Sequence, residues 1–219
     1  MIRTRDQLTD QEQELPVPEQ EIERLSMTTE EIAAANLGTA PKLNDQVVLR
    51  EHDPRWSEVF ETEAARVRES LGALDHRVEH VGSTSVPGLP AKPVIDMLLI
   101  VPDSADEPAY VPALERLGFT LVIREPDWYE HRVLREEFPD GPDRSAESVN
   151  LHVLSAGCPE NDRMLLFRDR LRTHDGDRAL YADTKRSLAQ QNWEYMQNYA
   201  DAKSDVVAGI LERAAADAG

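Results

Sequence analysis

The segment VIDMLLIV, residues 94–101, constrains the fold more than any other part of the chain, because Asp96 is its only polar residue. A short apolar run of this kind is typical of a strand that is buried on both faces of a sheet. An aspartate inside such a strand needs a partner, since an unpaired buried carboxylate is costly. A metal ion that bridges to a phosphate group is one possible partner, and an arginine on a neighbouring helix is the other.

The loop before this strand has the composition of a phosphate-binding loop. A predicted strand, HRVEHV, delivers Gly82 and Ser83 into the segment GSTSVPGLPAKP, and the following strand returns Asp96 to the same end of the sheet. Glycine allows a phosphate to approach the backbone, while Ser83 offers a hydroxyl group and amides. Lys92 lies in the same loop and could neutralise a phosphate.

The other elements follow from hydrophobic spacing and from glycine and proline positions. A helix is predicted from Asp53-Pro54 to Gly72, with Trp56 in its apolar face, and a second helix over Tyr110–Leu117. Further strands are predicted at QVVLRE, FTLVIR, HRVLRE and VNLHVL. Helices follow from Pro159 onward, and the last of them is predicted to run unbroken from Trp193 to about Ala216. Strands first and helices afterwards indicate an α+β fold.

The strand VNLHVL carries a second group of candidate residues. Its alternation directs Val149, Leu151 and Val153 to one face and Asn150 and His152 to the other. His152 could act as a metal ligand, a phosphate contact or a general base. It could equally complete a hydrogen-bond network beside Asp96. We interpret His80, which precedes Gly82, as structural.

Basic residues on the predicted helices form a third group. Arg168 and Arg172 are four residues apart, as are Tyr181 and Lys185, so each pair shares a helix face. They could face the phosphates of a ligand, or they could form ordinary ion pairs with acidic neighbours.

The chain divides into three predicted regions. Residues 1–45 form a polar extension with one short helix, which Thr28 and Glu31 open as a capping box. Residues 46–157 form the α/β core, and residues 158–219 a helical segment packed on it. Residues 1–26 are predicted to be a mobile arm or a loosely docked segment, and residues 138–148 a mobile, turn-rich excursion.

Composition excludes several classes of function. There are 42 acidic residues against 24 basic ones, a net charge of −18, which disfavours broad nucleic-acid binding. The absence of a long apolar run and of an apolar leader argues against a membrane partner and leads us to expect a cytoplasmic protein. Cys158 is the only cysteine, so neither an internal disulfide nor a sulfur-ligated zinc site is expected. The chain has only four lysines, Lys42, Lys92, Lys185 and Lys203, and arginine supplies the other basic residues; we give this bias no functional weight.

Several motifs, taken in order and with their spacing, resemble the GrpB family: EHVGSTSVPGLPAKPVIDMLL, NLHVL, FRDRLR, YADTKRSLA and YADAKSDVV. The resemblance spans roughly residues 46–213. It implies a nucleotidyltransferase-like mixed β-sheet with flanking helices and a helical C-terminal tail. It also implies a nucleotide-related role, since some relatives are fused to the last kinase of coenzyme A synthesis.

The chain departs from the acidic pattern of that fold superfamily. Leu98 stands where a second carboxylate is expected, and the later strand offers Asn150 and His152 where a third acid is expected. A site that holds Mg²⁺ for nucleotidyl transfer needs several oxygen ligands. The resemblance therefore predicts the fold, and it leaves the reaction open.

Two hypotheses about function follow. In the first, the protein is an enzyme in which a nucleoside triphosphate lies on Gly82-Ser83, Asp96 holds Mg²⁺, and a small-molecule acceptor attacks the α-phosphate. The phosphates would be balanced by Lys92, Arg168 and Lys185. In the second, the protein binds a nucleotide or a coenzyme A-like ligand without chemistry. Partner binding through the acidic surface is a third option, and the oligomeric state stays open.

Overall fold

The computed structural model of the protein describes residues 26–40, 42–43, 46–138 and 145–218. Within these ranges a five-stranded sheet has the order β1-β2-β5-β4-β3. Its strands are β1 (Arg77–Val81), β2 (Val94–Val101), β3 (Thr120–Glu125), β4 (His131–Glu137) and β5 (Ser148–Ser155). The helices are α1 (Thr29–Ala35), α2 (Arg55–Leu71), α3 (Glu107–Glu115), α4 (Pro159–Thr173), α5 (Asp175–Ala189), α6 (Met196–Asp201) and α7 (Ser204–Ala218).

The sheet is mixed, and β2 lies inside it as its apolar sequence predicts. Strand β2 pairs antiparallel with β1 and parallel with β5, whereas β5 with β4 and β4 with β3 are antiparallel. The register sets Asp96 opposite Asn150, and Leu98 opposite His152. The strand at the centre of the sheet is β5, which therefore also has a neighbour on each side.

Helices α2 and α3 cover one face of the sheet. The apolar side chains of α2 recur at helical spacing, and Trp56 is fully buried as predicted. They pack against the inward residues of β2 and β5, among them Met97 and Leu151. The indole of Trp56 also donates a hydrogen bond to the carbonyl of Ser145 at 2.8 Å. Strands and helices on this side form the main core.

The helical tail covers part of the opposite face and holds the loop between β1 and β2. Val86 and Leu89 of this loop pack with Leu171 of α4, Tyr181 of α5 and Ile210 of α7. Helix α4 also packs over β1 and β2 near Leu98. The loop is therefore enclosed by three helices that lie far from it in sequence.

The prediction of one long helix from Trp193 to about Ala216 is wrong, since α6 ends at Asp201 and α7 begins at Ser204. The break has a local cause. The backbone amide of Lys203 donates to the carbonyl of Ala200 at 3.2 Å, while its side-chain Nζ donates to the carbonyl of Tyr199. The side chain thus takes the acceptor that a continuing α-helix would assign to the Lys203 amide.

The strand predicted at QVVLRE is also wrong. Only Arg50 forms a bridge, with Ala91, through hydrogen bonds of 2.8 and 2.9 Å. Val47 instead packs in a small apolar cluster with Ala189 and Tyr199. Packing in this cluster explains Val47 and the partly buried Leu49 without a ladder of strand pairing, whereas Val48 is exposed.

The described part of the N-terminal extension docks on the edge strand β3. Thr28 and Glu31 form the predicted capping box at the start of α1. The amide of Leu37 then donates to the carbonyl of Val122 at 2.9 Å. The predictions for residues 1–25 and for the excursion at 139–144 fall outside the described residues.

No helix of the described chain has the length and apolar composition needed to cross a membrane.

Candidate functional site

The turn from β1 into the following loop brings Gly82 directly against Asp96. Val81 pairs with Asp96 in the sheet, and Gly82 follows with φ 66° and ψ −172°, a region that is essentially restricted to glycine. A β-carbon at this position would lie 2.4 Å from Oδ2 of Asp96 and 2.8 Å from its Cβ. The predicted proximity of Gly82-Ser83 and Asp96 is therefore present in the structure.

The loop is tied to the sheet by buried polar contacts. His80 stacks on Phe60 with ring centroids 4.5 Å apart, and its Nε2 lies 3.1 Å from the hydroxyl of Thr84. That hydroxyl donates to the carbonyl of Val94 at 3.2 Å. Burial lowers the pKa of His80 to about 4, so the ring is neutral at physiological pH. These contacts agree with the structural role expected of His80.

Asp96 has two polar neighbours on β5. Nδ2 of Asn150 donates to Oδ1 of Asp96 at 3.1 Å, and Nε2 of His152 lies 3.8 Å from the same oxygen. The second distance is an electrostatic contact, too long for a hydrogen bond. Burial alone would raise the pKa of Asp96, but His152, Lys92 and Asn150 hold it below its ordinary value. The side chains of Asp96 and His152 are 29% and 24% exposed, so a ligand can reach both.

His152 continues into a line of polar groups that sequence reasoning missed. Its Nδ1 lies 3.1 Å from Nε2 of His131, and Nδ1 of His131 lies 2.7 Å from Oε2 of Glu125. His131 and Glu125 are both buried. They come from β4 and the end of β3, and no spacing along the chain reveals that they meet a side chain of β5.

Three lysines converge beside Asp96. Lys185 is 3% exposed, and its Nζ donates to the carbonyl of Pro90 in the loop. Nζ of Lys203 lies 3.6 Å from the centroid of the Tyr199 ring, and Nζ of Lys92 lies 6.0 Å from it. We call Lys92, Lys185 and Lys203 the lysine cluster. It contains all the lysines of the chain except Lys42, so the scarcity of lysine conceals a concentration in space.

The amines of the lysine cluster perturb one another. Burial lowers the pKa of Lys185 to about 7, and the charge of Lys92 adds to the effect. Burial likewise lowers the pKa of Lys203 to about 7, with further lowering by Lys92 and Lys185. For Lys92 burial also lowers the pKa, while Asp96 opposes that change. One carboxylate thus faces several buried or half-buried amines.

The family follows from comparison with known proteins. A family profile described as GrpB protein matches residues 46–213. The chain belongs to the GrpB family. A UPF0157 protein of Halalkalibacterium halodurans is 54% identical over 187 residues, which cover 85% of this chain and 92% of that protein. A dephospho-CoA kinase of Mycobacterium leprae is 32% identical over 184 residues, which cover 74% of this chain and 45% of that protein.

Solved structures agree with the fold. The crystal structure of GrpB from Enterococcus faecalis aligns with a TM-score of 0.64 and 32% identity, over 76% of this chain and 96% of that chain. The predicted α+β class, with a mixed sheet, flanking helices and a helical tail, is confirmed. The Cid1 poly(U) polymerase bound to MgATP also aligns, with a TM-score of 0.38 and 14% identity over 62% of this chain and 45% of that chain. That likeness is too low to support a conclusion about function.

Arg168, which the sequence predicts to contact a phosphate, forms ion pairs with acidic side chains instead. Its guanidinium pairs with Glu79 at 2.8 Å and with Asp169 at 2.7 Å, and it donates to the carbonyl of His80 at 3.1 Å. These contacts hold α4 against β1 and favour the ion-pair alternative. Arg172, one turn further, donates from Nε to the carbonyl of Ser85 at 3.0 Å and lies closer to the loop.

The residues at Asp96 do not fit a Mg²⁺ ion held by the protein. Magnesium prefers several oxygen ligands in octahedral geometry. Asp96 is instead joined by an imidazole and by the lysine cluster, whose charge repels a divalent cation. Leu98, at the position of the expected second acid, is fully buried. Nowhere in the described chain do three His, Cys, Asp or Glu side chains come together as metal ligands.

Proposed function

We propose that this GrpB-family protein binds the phosphate groups of a nucleotide between the Gly82-Ser83 loop and the lysine cluster. The observation that carries the proposal is the convergence of three lysines on one carboxylate. Amines that are buried together destabilise the folded chain, because each charged form is desolvated and repelled by the others. An anionic ligand with several charges would remove that penalty on binding.

The charge of the whole chain strengthens the proposal. The net charge is −18, yet the lysine cluster is positive and Arg135 lies close enough to Lys92 to lower its pKa further. A local positive site on an acidic protein selects small anions over long nucleic acids, whose extended backbones the remaining surface repels. This supports a mononucleotide or a coenzyme-like ligand.

The loop supplies neutral contacts for the same ligand. Gly82 is exposed and has no side chain, so a phosphate can approach its backbone. Ser83 is half-buried beside Tyr181, whose pKa burial raises and the Ser83 side chain lowers in part. Ser83 would therefore present its hydroxyl group next to the lysine cluster.

Nucleotidyl transfer to a small acceptor is the second candidate function. The partly exposed pair of Asp96 and His152 favours it, because both side chains can reach a bound ligand and imidazole is a common proton acceptor. The side chains around Asp96 do not form a site at which the protein itself would hold Mg²⁺ for this reaction. The relative named dephospho-CoA kinase supports including coenzyme A derivatives among the ligands tested.

Calorimetric titration tests the proposal directly. ATP, GTP, CTP, UTP, coenzyme A and dephospho-coenzyme A are each titrated into the protein, once with Mg²⁺ and once with EDTA. We expect binding of at least one of them in EDTA, since lysines supply the neutralising charge. Lys185→Met should weaken it about tenfold or more, a loss of about 1.4 kcal/mol.

Lys42→Met is the matched control. Lys42 is exposed and pairs with Glu194 at 2.7 Å, away from the lysine cluster. Its loss should leave the affinity unchanged. The absence of binding to every ligand under both conditions would refute the proposal, and so would equal losses in the two lysine variants. Binding only in the presence of Mg²⁺ would refute the role given to the lysines and favour the transferase candidate.

A further inference from the structure

A line of four polar side chains crosses one region of the sheet and ends at the candidate site. Glu125 lies at the end of β3, His131 at the start of β4, His152 in the middle of β5 and Asp96 in β2. The successive contacts are 2.7 Å from Glu125 to His131, 3.1 Å from His131 to His152, and 3.8 Å from His152 to Asp96. Neither Glu125 nor His131 belongs to the binding site proposed above.

With Glu125 ionised and both rings neutral, the hydrogen bonds determine which ring nitrogens carry protons. An ionised carboxylate only accepts hydrogen bonds, so Nδ1 of His131 carries the proton donated to Glu125. In a neutral ring Nε2 of His131 is then an acceptor, and its partner, Nδ1 of His152, must be the donor. Nε2 of a neutral His152 is left without a proton. That atom, on a partly exposed ring, faces Asp96.

The turn between β3 and β4 carries the two residues at the far end of this line. Glu125 and His131 are paired residues that close the turn. Tyr129 and Glu130, inside it, both have positive φ, 53° and 51°, a conformation that costs non-glycine residues free energy. The ring of Trp128 packs edge-on against that of His131, with centroids 5.1 Å apart. His131 itself stacks on His152, with centroids 5.3 Å apart and planes 11° apart.

We infer that Glu125 and His131 are positioning residues that hold His152 with an unprotonated Nε2 facing the ligand site, so that the site can accept a proton from a ligand hydroxyl. The inference rests on the proposed function only for the location of the ligand. In the step, the O–H bond of the ligand hydroxyl breaks, its proton forms an N–H bond with the lone pair of Nε2, and the electron pair of the O–H bond stays on the ligand oxygen. The imidazolium then keeps its Nδ1–H bond to His131, and Asp96 stabilises the new charge.

This arrangement distinguishes a reaction site from a plain binding site. Phosphate binding requires positive charge and amides, which the loop and the lysine cluster supply. It gives no reason to bury a carboxylate and a second imidazole behind His152. The class of ligand that uses them has a hydroxyl group to be activated beside its phosphates, as a nucleoside or a pantetheine derivative has.

Tautomer-sensitive NMR tests the inference without any ligand. Long-range ¹H–¹⁵N correlation spectra are recorded at pH 8.5, where imidazoles are ordinarily neutral. His131→Asn and His152→Gln variants assign the two rings. We expect both rings as the Nδ1–H tautomer. Nδ1 of His76 lies 2.6 Å from the carbonyl of Leu74, so His76 serves as an internal reference for that tautomer. An Nε2–H tautomer or a doubly protonated ring at His152 would overturn the inference.

Two substitutions at Glu125 test the positioning role. The carbonyl oxygen of the side chain in Glu125→Gln can still accept from Nδ1 of His131, so the tautomer of His152 should be retained. Glu125→Leu has no acceptor, so His152 should become a mixture of tautomers. An unchanged His152 in Glu125→Leu would overturn the role of Glu125. If that variant does not fold, the wild-type spectrum still tests the role of Glu125, because an Nε2–H tautomer at His131 would overturn it.

Nucleotide titration of the same variants separates this inference from the proposed function. We expect Glu125→Gln and Glu125→Leu to bind the ligand within about twofold of the wild type, since Glu125 lies at the opposite end of the line from Asp96. If no nucleotide binds to any form while the tautomers are as expected, the proposed function fails and the arrangement of His152 stands. If nucleotide binds but the tautomers are wrong, only the present inference fails.

Discussion

At the scale of single residues, the site depends on a contact that leaves no room for a side chain. Gly82 touches Asp96, and a β-carbon there would overlap both a carboxylate oxygen and the Cβ of Asp96. The oxygen could move aside, but the Cβ is fixed by the backbone of β2. Gly82 therefore sets how closely the loop approaches the strand.

Gly82→Ala should destabilise the protein by about 2 kcal/mol more than Gly88→Ala, its matched control in the same loop. Both glycines have positive φ, 66° and 78°, so both variants bear backbone strain. A β-carbon at Gly88 meets nothing within 4 Å, whereas one at Gly82 collides with Asp96. Urea denaturation of the two variants measures the difference. Equal losses would show that the contact with Asp96 adds nothing to the strain.

At the scale of elements, the strands of the sheet were predicted more successfully than the segments around them. Burial on both faces makes β2 nearly continuously apolar, and the alternation in β5 separates Asn150 and His152 from the core. QVVLRE is also rich in β-branched and apolar residues, but Val47 is buried by packing on α5 and α6 without strand pairing. The break between α6 and α7 depends on one side-chain bond from Lys203, which helix propensity does not contain.

Helix α1 offers a test of how far the N-terminal extension is an independent unit. Thr28→Ala removes the capping box and should destabilise α1 by about 1 kcal/mol. A helix of seven residues is marginal without its cap, so we expect faster amide exchange in α1 and little change in the exchange of β2.

Thr29→Ala is the control for this prediction. Thr29 is the first residue of the helix and takes no part in the capping box. Its amide exchange pattern should match that of the wild type. Faster exchange throughout the sheet in Thr28→Ala would instead mean that α1 folds together with the core.

At the scale of the whole molecule, the positive lysine cluster is unusual because the chain is so acidic. The contribution of this cluster to the free energy of unfolding changes with pH in a definite direction. The unfolded chain holds lysine protons up to about pH 10.4, whereas burial lowers the pKa of Lys185 and Lys203 to about 7 in the folded chain. Between these values the unfolded state binds more protons, so the contribution of the two amines to the free energy of unfolding rises with pH. Below about pH 7 both states are protonated and the contribution is constant.

The free energy of unfolding of the wild type minus that of a Lys185→Met, Lys203→Met double variant should therefore increase from pH 7 to pH 9.5. The expected slope is about 1.4 kcal/mol per pH unit for each amine that is deprotonated in the folded chain and protonated in the unfolded chain. Urea denaturation of both proteins at a series of pH values gives this difference, and other titrating groups largely cancel in it. A difference that stays flat over this range would contradict the depressed pKa values of the two amines.

Local pattern determined much of this protein: the interior strand with Asp96, the loop that places Gly82-Ser83 beside it, the faces of β5 and the helical tail. These features follow from hydrophobic periodicity and turn residues, which act over a few positions in the chain. The lysine cluster, the pairing of Arg168 with Glu79, and the line from Glu125 to His152 were decided only by the tertiary structure. Packing joins side chains whose separation along the chain follows no period, and their charges interact only once burial has removed the water between them.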